Sequence, residues 1–362
     1  MTSVKVPPAK LARAIERVRH HLLQLHQRTV PPPVVMSELI LGAWISQAIT
    51  VAADLGIADA VAAAPLPVDA LAARVNADPD AVRRLLRALI SCGIFRQRRD
   101  GRYELNPLGD TLRSASPASM AGLARWVGSR QHREHWSLLA SAVRTGKAII
   151  PQLRGMEAFD YLGEEPELAE VFNQAMTNLS QSAAAPIIAA YDFTGYSTIV
   201  DVGGGHGELL AAILAAAPAA HGVLYDLPHV VVGAPPLLHE LDVADRARIA
   251  EGSFFDSVPA GGDIYILKNV IHDWPDDKAI QILRNVHVTA DTATTVLLIE
   301  IVIPEHHRES IGKWTDLEML LASAARERTA AEYRHLLQQA GFQTTRVIET
   351  ASPYSIVEAW AG

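Results

Sequence analysis

Thr198-Ile-Val-Asp-Val-Gly-Gly-Gly-His-Gly207 is a short apolar run that meets an acid and then breaks into glycines. Thr198 to Val202 has the length and β-branched content of a buried strand, and Leu209, Leu210, Ile213 and Leu214 recur at helical spacing. The stretch therefore predicts strand, glycine turn and helix. Glycines at 203, 204, 205 and 207 let the backbone take positive φ and approach a ligand where an α/β sheet exposes its strand ends.

The spacing bears on which ligand. A dinucleotide fingerprint places G-x-G-x-x-G ahead of a phosphate-binding helix, whereas here Asp201 precedes Gly203, Gly205 and Gly207. An acid in that place repels a pyrophosphate and suits a ligand carrying a cation. Val223-Leu-Tyr-Asp226, ending nineteen residues beyond Gly207, closes a second apolar strand on an acid that can take two ribose hydroxyls. Together these stretches resemble motif I and the ribose-binding acid of S-adenosylmethionine (SAM) dependent methyltransferases.

At 362 residues the chain is long enough for two domains, each with its own core. A net charge of −8 argues against nucleic acid as the main partner, because phosphate binding depends on Lys and Arg. A single cysteine, Cys92, suits a reducing cytoplasm, where we expect the protein. Leu39 to Ala53 is the most membrane-like run but is broken by Ser46 and Gln47. The basic first thirty residues lack the apolar core of a secretion signal.

Leu11, Ile15, Val18, Leu22 and Leu25 predict an amphipathic helix over 9–28, stopped by Pro31-Pro-Pro33. Alone it would be marginal in water, so its apolar stripe is expected to pack on another chain or the next domain. Leu39 to Leu55 reads as one buried helix and Val68 to Val75 as another. Asp78-Pro79 supplies an N-cap and first residue for a third, ending at Gly93. Phe95 to Arg98, the turn Asp100-Gly101 and Tyr103 to Leu105 follow as a hairpin. Three helices and a hairpin make a winged-helix arrangement. Nine arginines against five acids between residues 71 and 113 raise DNA binding by a regulator as an alternative, with dimerisation the favoured role.

Residues 116–190 are again helical, and Trp126, Phe159, Phe172 and Met176 are candidates to line a small-molecule cleft. From 191 onward, strands and helices alternate as in a parallel sheet covered on both faces. Strands are predicted at 198–202, 222–227, 247–251, 263–268, 295–302, 343–349 and 355–360. The last two are joined by only Thr350 to Tyr354, too short for a parallel crossover, so the final strand should run antiparallel.

The strand ending at Lys268 leads into Asn269-Val-Ile-His272-Asp273-Trp274-Pro275, placing a histidine and an acid on the crevice side of the sheet. Histidine can take a proton from a phenol, and Glu300 or Glu327 beside its second nitrogen would stabilise the imidazolium. Leu267 to Asp276, Glu300-Ile-Val-Ile-Pro304, Thr315 to Leu320 and Glu327-Arg-Thr329 resemble the small-molecule O-methyltransferases, both the plant caffeate and isoflavone type and the bacterial polyketide type.

The resemblance covers nearly the whole chain. It implies a Rossmann-like α/β sheet, mostly parallel with one antiparallel strand, over 191–362. It also implies a helical linker over 116–190 and a winged-helix dimerisation domain over 1–115 forming a homodimer. It further implies SAM as methyl donor and a small aromatic or polyketide-like hydroxyl as acceptor. His272 would be the base, Glu300 and Glu327 its flanking carboxylates, and Asp273 a neighbour of the reacting hydroxyl. Asp201, Gly203, Gly205, Asp226, Leu227, Ser253, Phe254, Lys268 and Met176 would surround the cofactor, and Phe172, Met176 and Met319 the methyl group and acceptor.

Two departures stand out. Ser253 replaces a usual aspartate, which puts a bond to the adenine amine in question, and Ala324-Ala325 replaces a usual glycine pair. Relatives of this fold that bind SAM yet support hydroxylation or decarboxylation are a further alternative. His132, His135, His306 and His307 lack a zinc spacing, so no metal is expected and a chelator should leave activity intact.

Overall fold

The structure, a computed structural model, describes residues 6–361 apart from the side chains of 344 and 345. It forms two compact units. One comprises the chain up to His21, Leu139–Ala158 and the chain from Ser182 onward; the other comprises Leu22–Leu138 and Phe159–Gln181.

In the second unit, Pro79–Ser91 is a helix capped as the sequence predicts: Asp78 Oδ1 accepts the amide of Ala81 at 2.8 Å. The hairpin pairs β1 (Arg96–Gln97) with β2 (Tyr103–Glu104). The core gathers Leu71, Val82, Leu86, Leu89, Phe95 and Tyr103. Several arginines behind the DNA-binding alternative are paired with local acids: Arg83 with Asp80, Arg96 and Arg98 with Glu104, and Arg113 with Asp110.

The N-terminal helices correct two expectations. Helix α1 (Ala9–Gln27) ends before the prolines, but α2 (Pro32–Asp54) starts among them, because proline fits the first turn of a helix. Nor is α2 a buried helix: Trp44 is 71% and Ile40 65% exposed, with Leu39 beside them. By length and composition α2 is apolar enough to cross a membrane, the one such helix among the described residues.

The first unit is built on a seven-stranded sheet. Its strands are β3 (Thr198–Val202), β4 (His221–Asp226), β5 (Ala247–Glu251), β6 (Ile264–Lys268), β7 (Thr295–Glu300), β8 (Phe342–Glu349) and β9 (Ser355–Ala361), in the order β5-β4-β3-β6-β7-β9-β8. Pairing is parallel from β5 through β7, and β9 runs antiparallel to both neighbours, as the short final connection requires. Both faces are apolar: Ile199, Ile264, Ile266, Leu297 and Ile299 enter one core, while Val200, Tyr265, Leu267, Val296 and Leu298 enter the other. That is why the strands read as continuous apolar runs. From β3 the chain builds β4 and β5 on one side and then returns to lay β6 on the other, and this reversal of strand order opens a crevice at the carboxyl ends of β3, β4 and β6.

Candidate active site

The glycine turn sits at that crevice. Gly203, Gly205 and Gly207 take φ of +70°, +61° and +86°, and a Cβ on Gly204 would stand 2.5 Å from Leu224 and 2.7 Å from the Asp201 carboxyl. Asp226, at the end of β4, accepts the amide of Gly205 on Oδ2 at 2.9 Å and that of Leu227 on Oδ1 at 2.7 Å. The ribose-binding candidate thus also fixes the turn. Burial raises the Asp226 carboxyl above its ordinary range.

Asp201 is buried, and one of its oxygens has no hydrogen-bond partner. Burial pushes its pKa up to about 7 against the opposing pull of Lys268. Burial likewise pushes Lys268, which lies over the Tyr354 ring, down to about 8. An unpartnered carboxylate oxygen in a crevice is what a ligand's ammonium group would satisfy.

Ser253 turns its hydroxyl to the amide of Phe255, and the Phe254 ring stands edge-on to Phe255 and Trp274. A Cβ on Gly203 would meet the Phe254 ring at 3.6 Å, so the aromatic group borders the glycine turn. Asp201, Gly203, Gly205, Asp226, Leu227, Ser253, Phe254 and Lys268 all stand at or just past the carboxyl ends of β3, β4, β5 and β6. Met176, Trp126, Phe159 and Phe172 belong to the other unit, where Trp126 packs edge-on to Phe172 and His132.

His272 occupies a short 3-10 turn, Ile271–Asp273, just past β6. Its Nδ1 lies 3.0 Å from Glu327 Oε1, and its Nε2 3.4 Å from Asp273 Oδ1. Glu300, at the end of β7, brings an oxygen within 4.8 Å of the His272 ring and of Glu327, and its Oε1 also holds the turn, accepting the amides of Ile271 at 2.9 Å and Val270 at 3.3 Å. Burial alone would lower the His272 pKa, but Asp273, Glu300 and Glu327 together raise it to about 10. Burial raises Asp273 to about 6 and Glu300 to about 7, opposed in each case by the imidazolium.

Several supporting groups escaped the sequence reading. Asp316 Oδ1 accepts the Glu327 amide at 3.0 Å, and Ser323 Oγ donates to the Asp273 carbonyl at 3.0 Å. Met319 lies between them on helix Gly312–Ser323, at the three- and four-residue spacing that shares a face. Thr329 and Glu332 form a reciprocal capping box that starts the helix Ala330–Gln339, a signal readable as Thr-x-x-Glu. Arg328 gave no such signal beyond its place beside Glu327.

The O-methyltransferase domain matches residues 136–343, and the O-methyltransferase dimerisation domain residues 37–115. The chain is 41% identical to a phenazine O-methyltransferase of Lysobacter antibioticus over 91% of its own length and 96% of the relative's. The crystal structure of human N-acetylserotonin methyltransferase in complex with SAM superposes with a TM-score of 0.85 at 27% identity, covering 92% of this chain and 98% of that one. An O-methyltransferase from neocarzinostatin biosynthesis, solved with SAM and 2-hydroxy-5-methyl naphthoic acid, gives 0.72 at 33% identity over 88% and 96%. These relatives support neither a DNA-binding regulator nor a SAM-assisted hydroxylation or decarboxylation. With a glycine turn, two strand-end acids and a histidine flanked by carboxylates in one crevice, the chain belongs to the family of SAM-dependent O-methyltransferases.

Proposed function

We propose that this enzyme methylates a hydroxyl of a small aromatic or polyketide-like compound, with His272 as the general base. The observation that carries the reading is the pairing of His272 Nδ1 with Glu327, which leaves Nε2 beside Asp273 in the crevice. Phenazine, acetylserotonin and naphthoic acid in the names of its relatives support a flat aromatic acceptor.

Asp226 would take the ribose hydroxyls, Asp201 the ammonium group, and Phe254 the adenine, with the Lys268 charge opposing the burial that raises Asp201. When bound, SAM would supply a sulfonium-activated methyl group, and its positive charge would lower the His272 pKa. His272 Nε2 then accepts the hydroxyl proton while Glu327 steadies the resulting imidazolium and its tautomer. Within the first unit, Asp273 and Met319 are our assignment for the acceptor contacts.

The exposed apolar face of α2, with Leu39, Ile40 and Trp44, lies within the dimerisation match, and we place a second copy of the chain against it. Light scattering should give twice 39.1 kDa; a monomer would refute this. The exposed free thiol of Cys92 fits a cytoplasmic setting.

Incubating the protein with methyl-labelled SAM and a panel of hydroxylated phenazines, naphthoates and benzoates tests the function. The expected product is one acceptor heavier by one labelled methyl in place of hydrogen. An acceptor that gains oxygen or loses carbon dioxide would contradict the reading.

A further inference from the structure

Arg328 is 1% exposed, and nothing in the reaction described above uses it. Its neighbour Glu327 reaches His272, while the Arg328 guanidinium lies under the turn that carries His272. Nη1 donates to the carbonyl of Ile271 at 2.9 Å, and Nη2 to that of Trp274 at 2.8 Å. Nε and Nη2 both donate to Asp276 Oδ1, at 3.1 and 2.7 Å. The two carbonyls bracket His272 and Asp273.

The backbone around Arg328 is anchored elsewhere. Its carbonyl accepts the amide of Ile303, three residues beyond Glu300, and Ile303 forms a parallel bridge with Thr329. The Glu327 amide is held by Asp316. The strip carrying Glu327 is thus fixed to the β7 side of the site, and the guanidinium ties the His272 turn to that strip.

Stability alone is a poor account of this arrangement. A buried cation loses its hydration, and its one carboxylate partner, Asp276, is 55% exposed and so returns little of that loss. What a planar five-donor fork does supply is simultaneous bonding to acceptors at fixed separations, which a lysine ammonium cannot reproduce.

We infer that Arg328 is a positioning residue for methyl transfer, holding the turn Ile271–Trp274 so that the His272 ring stays registered on Glu327. The inference rests on the reading of His272 as the base. Displacing a catalytic group by roughly 1 Å can cost on the order of 10²-fold in rate.

The test uses Arg328→Lys and, because a buried substitution can prevent folding, also Asp276→Asn, which leaves both carbonyl bonds in place. In full-length protein labelled at histidine, the His272 titration is followed by NMR, identified by its absence in His272→Ala. Both variants should lower that titration by at least one pH unit, Asp276→Asn less than Arg328→Lys, while SAM affinity measured by calorimetry stays within twofold. Turnover of the phenol identified by the mass screen should fall about 10- to 100-fold in the native background and less than twofold on top of His272→Ala. A reduced melting temperature with an unmoved His272 titration would make Arg328 merely structural and overturn the inference. So would an equal loss of turnover with and without His272. Full turnover by His272→Ala alone is the separate result that would remove the base reading beneath it.

Discussion

Glu327, itself buried, stands 3.0 Å from Nδ1 of His272 and thereby assigns the ring's other nitrogen to the crevice. Its charge is one of three that outweigh burial and raise the imidazole to about 10. Replacing it by Gln keeps the volume and an acceptor oxygen but removes that charge. Glu327→Gln should therefore lower the His272 titration and reduce turnover about 10- to 100-fold, since it weakens but does not delete a base term of roughly 10²–10⁴. SAM affinity should be unchanged. Equal turnover in the variant would separate Glu327 from the chemistry.

Ser253 offers a gain-of-affinity test. Its hydroxyl accepts the Phe255 amide at 3.2 Å, a role that a carboxylate at the same position can also fill. Ser253→Asp should tighten SAM roughly tenfold by calorimetry, the scale of one charge-assisted hydrogen bond to the adenine amine. Asp226→Ala should abolish micromolar binding, because it removes both the ribose acceptor and the Gly205 anchor. Unaltered affinity in Ser253→Asp would mean that this position does not face the adenine.

Ala324 ends helix Gly312–Ser323 with φ +54° and ψ +21°, a left-handed conformation that costs a residue with a Cβ about 1–2 kcal/mol. Glycine relieves that cost but adds roughly 0.5–1 kcal/mol of freedom to the unfolded chain. Ala324→Gly should accordingly raise stability by up to about 1 kcal/mol in urea unfolding. A destabilised variant would show that the alanine methyl makes contacts worth more than the strain.

Much of this was legible because local chemistry decided it. Asp78-Pro79 is a cap in sequence and in structure, the glycines at 203, 205 and 207 all take positive φ, and the brief link before Ser355 forces β9 to reverse. The failures share another cause. The apolar composition of α2 predicts burial but cannot say against what, and Leu39, Ile40 and Trp44 stay uncovered by their own chain. Arg328 was invisible because an arginine between a glutamate and a threonine reads as solvated; only the fold brings two carbonyls and Asp276 to it. Glu300, read as a flanking carboxylate, brings an oxygen within 4.8 Å of an imidazole nitrogen and of a Glu327 oxygen, and only its bonds to the turn amides needed the fold to be seen.

The most direct measurement of the central claim is turnover of native and His272→Ala enzyme on one phenol of pKa near 10, across pH. Below 10 only a base makes the neutral hydroxyl reactive, so the variant should be slower by about 10²–10⁴-fold at neutral pH. Its rate should then climb about tenfold per pH unit as phenolate accumulates and makes a base unnecessary, closing the gap near pH 10. Equal rates at neutral pH, or a gap that persists unchanged above the phenol's pKa, would contradict a general-base role for His272.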